Sequence, residues 1–224
     1  MTQEIRYVWV GIVPRIFFLA LFLIAAIRYA MRNREHQPAI FKVITYKRLI
    51  WSSIFFKLGF AGVLTALQYI LWKGGGLGKI FLSEGLSSSL PIPLIHLFPW
   101  IFKSSLGYFI FYSFQRFWLN VFLSLLAAWL FYRFLILLKR YKERFFEEGE
   151  VELGYLMALV VGWPFFILFV PMGFLFVVLV SIFRLVFFKE AYTTLGWPFI
   201  LGAFTAFLFG SMLVPLFRLS VFTI

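Results

Sequence analysis

Four glutamates fall within six residues of the stretch RFFEEGEVELGYLM, Arg144 to Met157: Glu147, Glu148, Glu150 and Glu152. Only nine acids serve all 224 residues, so this concentration at the head of an apolar run needs a cause. Glu4, Glu35, Glu84, Glu143 and Glu190 complete the nine, which leaves the chain without a single aspartate. Two carboxyls held close enough to share a proton can activate water and polarise a carbonyl. The plainer reading is a helix start, where acids in the first turn complement the helix dipole. Lys57 is the other chemically suggestive residue, because it lies well inside an apolar segment where a charge is costly and often functional. Snorkelling, or pairing with a buried polar group, is its ordinary explanation, and Arg15, Arg116 and Arg133 near helix ends read as snorkelling. His36 and His96 have no cysteine or aspartate to complete a metal set, so neither a metal nor a cofactor is expected.

The elements that must position these residues are membrane helices. Hydrophobic residues make up 63% of the chain and charged residues 13%, with Phe alone at 33 positions. That leaves too few polar residues to cover the core of a soluble domain of this length. Several apolar stretches reach the roughly 20 residues that cross the bilayer as a helix. The strict alternation of an outer-membrane barrel is absent. The expected fold class is therefore all-α, a polytopic membrane helix bundle of about six spans.

The spans are expected at about 8–30, 49–72, 106–138, 150–163, 165–187 and 196–217. The fourth and fifth form one apolar stretch of nearly 40 residues, Val151 to Phe188. Gly162-Trp163-Pro164 breaks it into a short hairpin, because proline removes a donor and disfavours helix in the residue before it. Residues 73–105, rich in Gly, Ser and Pro, read as a long irregular connection. WKGGGLGK within that region lacks phosphate-loop spacing, since Ile80 follows Lys79, and a turn explains it better.

The net charge of +12 gathers at the ends of apolar segments, as orienting and lipid-facing residues do, and no RNA-binding motif accompanies it. The expected partner is the lipid bilayer and not nucleic acid. Arg28, Arg32, Arg34, Lys42, Lys47 and Arg48 fill the first connection; Lys139, Arg140, Lys142 and Arg144 fill another; Arg184 and Lys189 flank a third. The remaining connections are poorer in Lys and Arg. The bias predicts that the basic connections are cytoplasmic and both termini extracytoplasmic, with the segments around Thr45 and Glu150 on one side.

The C-terminal half resembles the membrane core of the type IV prepilin leader peptidases, intramembrane aspartyl proteases of the GxGD type. GEVELGYLMALVVGWP, followed by TTLGWPFILGAFTAFLFG, carries the resemblance. In that family G-x-G-D runs into (V/I)-(K/R)-L, a helix ending in LGWP follows, and a later segment reads much like this one. Gly149-Glu150-Val151-Glu152-Leu153 stands where G-D-V-K-L would sit, and Gly162 and Pro164 fall in the helix-ending motif. Leu195-Gly196 and Gly202 through Gly210 match the later segment without a gap. The family's other aspartate precedes a D-L-R-x-x-x-I-P-D pattern. Its counterpart here is TYKRLIWSS, with Thr45 at the aspartate and Lys47 at the basic position.

The resemblance covers about 41–212. It implies an organisation of 1–40 as an extra N-terminal helix with a basic connection, and 41–224 as a peptidase-like core with an extracytoplasmic loop at 73–105. It also implies a prokaryotic inner-membrane location and prepilin-like helices, or pilus and secretion components, as partners. The departures bear on activity. The family's two aspartate positions hold Glu150 and Thr45, and the motif's first glycine is Glu147. Threonine cannot store the shared proton, and the extra methylene of Glu150 displaces its carboxyl beyond the ~0.5 Å tolerance of a catalytic constellation. A pseudoenzyme is therefore expected. Two alternatives stay open. One is a peptidase in which Glu150 works with Glu148 or Glu152, although residues two apart on a helix point to different faces. The other is a small structural or transport component unrelated to proteolysis.

Overall fold

A computed structural model of the chain describes residues 2–32, 44–86, 98–189 and 194–217. Among these residues all regular structure is helical. The first element, α1, is Thr2–Met31, α2 is Tyr46–Gly74, and the short α3 and α4 are Gly76–Ser83 and Pro99–Phe102. Next, α5 (Gly107–Ser113) passes through a π turn at Phe114–Trp118 into α6 (Leu119–Tyr141). A 3₁₀ turn at Glu143–Phe145 leads to α7 (Glu150–Val161), α8 (Phe166–Phe188) and α9 (Gly196–Leu216).

Five stretches are long and apolar enough to cross a membrane: Val10–Met31, Tyr46–Gly74, Gly107–Tyr141, Phe166–Phe188 and Gly196–Leu216. With the short α7 they are the six expected helices, and the protein is an all-α polytopic membrane bundle. At ~1.5 Å per residue the 12 residues of α7 reach only part of the way across the hydrocarbon layer. Leu153, Leu156, Met157, Ala158 and Leu159 are all fully buried. Beyond its first turn the helix is apolar and buried nearly all round, which belongs inside protein, and α7 is the core element of its unit.

The chain divides into two compact units. One comprises Met1–Phe55 with Ser124–Thr223, and the other Phe56–Leu123. In the first, the rings of Phe131, Phe166, Phe169 and Phe199 join α6, α8 and α9, with centroids of Phe131 and its neighbours 5.5 to 5.8 Å apart. Glycines set the α8–α9 approach: a Cβ on Gly202 would stand 2.9 Å from the Gly173 backbone, and one on Gly210 would stand 2.6 Å from the Phe165 ring. Small residues at such crossings are how helices pack where no hydrophobic force separates helix from lipid. The large apolar residues left exposed on α8, such as Phe174, Val178 and Val186, are the surface a lipid-facing helix requires.

In the second unit Trp72 at the end of α2 packs on Phe81, Tyr108, Phe109 and Tyr112. Two backbone bonds, Leu86 N–H to Phe102 O at 2.8 Å and Tyr108 N–H to Glu84 O at 3.2 Å, tie the chain on either side of α4. The 73–105 region is thus not the unbroken irregular connection expected from its composition. It starts and ends in short helices, because a single glycine-rich turn at Gly74-Gly75 is followed by a helix-competent run ending at Ser83. The proline-rich stretch between them, with His96, lies outside the described residues, as does His36.

Candidate functional site

Gly149 takes φ +82°, the left-handed region, at the N-cap of α7. A residue with a Cβ is strained there, so the glycine before Glu150 has a backbone reason. The turn it makes returns the Glu150 N–H to the Glu147 carbonyl at 3.2 Å. It directs the Glu150 side chain inward, where it is fully buried. The bare Cα of Gly149 also admits the ring of Tyr46, whose edge stands 3.2 Å from where a Cβ would be.

Four donors surround the buried carboxyl. The Tyr29 hydroxyl donates to Oε1 at 2.5 Å, and Arg32 Nη1 donates to the same oxygen at 3.2 Å. The backbone N–H groups of Glu147 and Leu195 donate to Oε2 at 3.1 and 3.2 Å. A carboxylate offers about four lone-pair sites and no proton to give, so this set of donors matches its acceptor capacity. Arg32 also forms an ion pair with Glu147, and its guanidinium lies 4.1 Å over the Tyr29 ring. Tyr29 is in turn held by Thr194 Oγ1 at 3.4 Å and by the edge-on Trp197 ring at 5.6 Å. Gly196 lies against the Tyr29 ring with no room for a Cβ. One residue thus ties together the C-terminal end of α1, the turn before α7 and the N-cap of α9.

Of the positions singled out in sequence, Gly149, Glu150, Leu195 and Gly196 converge here. Gly162 is the positive-φ residue ending α7, with φ +67°. Leu153 is fully buried in the α7 core. Gly202 and Gly210 lie farther along α9, on the α8 contact. Thr45 stands one residue from the Tyr46 that covers Gly149, but its Oγ1 accepts the Arg48 N–H at 3.3 Å. That is the N-cap bond of α2. Lys57 is half-buried on α2 in the other unit.

The acids that could have joined Glu150 are elsewhere. Glu148 is exposed, and Glu152 lines a separate cleft with Tyr132 and Lys139 of α6. Among the described residues no group of three or more His, Cys, Asp or Glu side chains comes together. Sequence reading missed Tyr29 and Arg32. Their one signal is an i, i+3 spacing, which puts a phenol and a guanidinium on one face of α1. The chain matches no family model, no curated protein sequence and no solved structure.

Proposed function

We propose that this chain is a catalytically degenerate relative of the prepilin leader peptidases. It resides in a prokaryotic inner membrane with both termini extracytoplasmic, and holds prepilin-like hydrophobic helices for pilus or secretion assembly without cutting them. The observation that carries this reading is the donor set around Glu150. A carboxyl that activates water must keep an acceptor position for it, and all four positions of Glu150 are taken by Tyr29, Arg32 and two backbone N–H groups. Thr45, at the position of the second aspartate, spends its hydroxyl on its own helix. Supporting descent is the meeting of Gly149-Glu150 with Leu195-Gly196, two segments 45 residues apart that separately carry the resemblance.

The test is co-expression with a prepilin-like substrate carrying a photo-crosslinker in its apolar helix, scored for leader cleavage and for adduct formation. The expected result is adduct without cleavage. Reproducible leader removal that disappears in Glu150→Ala would overturn the non-catalytic reading. Absence of both adduct and cleavage would remove prepilin-like helices as partners.

A further inference from the structure

Where α6 ends and α7 begins, an open cleft of about 430 Å³ is lined by Tyr132, Ile136, Lys139, Arg140, Glu143 and Glu152. Val151 of α7 completes the lining. Tyr132, Ile136 and Lys139 follow one another at four- and three-residue steps, so they share a face of α6 and span ~10 Å along its axis. The polarity changes along that line. Tyr132 and Ile136 lie within the membrane-crossing segment, which runs to Tyr141, and the charged residues gather at its end.

Two cations and two acids therefore face one volume. Among the described residues none of the four cleft charges is held in an ion pair. A purely anionic ligand would suit Lys139 and Arg140 but would also face Glu143 and Glu152. A purely cationic ligand has the converse difficulty. A ligand with both charges and an apolar continuation satisfies every side of the cleft. A quaternary ammonium fits poorly, because it cannot donate to carboxylates and is ordinarily held by open aromatic faces. The ring of Tyr132 is already packed on that of Tyr155, with centroids 4.9 Å apart. Leu137, the residue after Ile136 on α6, is 62% exposed and gives an acyl chain an apolar surface.

We propose that this cleft binds the headgroup of an amine-bearing zwitterionic phospholipid of the phosphatidylethanolamine class. The phosphate lies on Lys139 and Arg140, and the primary ammonium donates to Glu143 and Glu152. The site is independent of Glu150 and of whether the chain meets prepilin-like helices.

Native mass spectrometry of the full-length protein in detergent tests this, with phosphatidylethanolamine, phosphatidylcholine and phosphatidylglycerol of identical acyl chains, and with water-soluble glycerophosphoethanolamine. The expected result is at least tenfold preference for phosphatidylethanolamine over each of the other three. The Glu143→Gln/Glu152→Gln double variant should lose the preference over phosphatidylglycerol. The Lys139→Ala/Arg140→Ala variant should weaken both lipids together. Phosphatidylglycerol binding the unaltered protein as well as phosphatidylethanolamine would reduce the cleft to a basic patch and overturn the proposal. Equal binding of phosphatidylcholine, or retained preference in the double glutamine variant, would show that the acids do not read the ammonium. Equal competition by glycerophosphoethanolamine would make the ligand an aqueous one and defeat the lipid assignment.

Discussion

Glu150 accepts bonds from a phenol, a guanidinium and two backbone N–H groups while fully buried. Removing one member of such a set leaves the others desolvated and unpaired, and for a buried ion pair the cost is about 3–5 kcal/mol. Glu150→Ala is therefore expected to lower unfolding free energy in mixed micelles by that amount. Tyr29→Phe, which removes the bond to the Glu150 carboxyl and the longer contact with Thr194 Oγ1, should cost about 1.5–3 kcal/mol. A Glu150→Ala protein as stable as the original would mean that the carboxyl does not hold the bundle together. At this scale the sequence was half legible. Glu150 stands out because acids are scarce and because of its neighbours Gly149 and Leu153. Its partners do not, because Tyr29 and Arg32 look like interfacial and orienting residues until a fold brings residue 150 to them.

Helices in this bundle meet where side chains are missing. A Cβ on Gly202 has backbone, not a movable side chain, 2.9 Å away. Gly202→Val should therefore force α8 and α9 apart, at about 1–3 kcal/mol for overpacking, measured by the same unfolding titration. Gly59→Ala on α2, where nothing lies within 4 Å of the added carbon, is the control. Equal effects of the two would deny the close crossing a structural role. The long spans were legible to within a few residues, since twenty apolar residues have one comfortable conformation in lipid. The π turn at Phe114–Trp118 was not. Its register change shows in space, where Trp118 Nε1 reaches Thr65 Oγ1 at 3.0 Å, and no residue type in FQRFW announces it. The helices inside 73–105 were hidden by flanking Gly, Ser and Pro, whose composition describes the turns and not the short runs between them.

For the molecule as a whole, α1 is not an appendage. Residues 1–40 have no counterpart in the resemblance, yet Tyr29 and Arg32 supply both donors to Oε1 of Glu150. A chain beginning at residue 41 would bury that oxygen without partners. It is expected to fail to accumulate in membranes, or to be recovered only at a markedly reduced thermal midpoint, as scored by fluorescence-detected size exclusion. Recovery at an unchanged midpoint would show that α1 is dispensable. The separation of Tyr29 and Glu150 by 121 positions also has a meaning in time. At about 5–20 residues per second the ribosome needs roughly 6–24 s to make the stretch between them, and α9 follows later still. Throughout that interval the nascent chain carries the Tyr29 and Arg32 donors without their acceptor, and from residue 150 until residue 195 it carries the carboxyl without its full complement of donors. Biogenesis of this protein thus contains a waiting period that ends only when Leu195, at the start of α9, is delivered, and a membrane protease that surveys unfinished chains has that long to act.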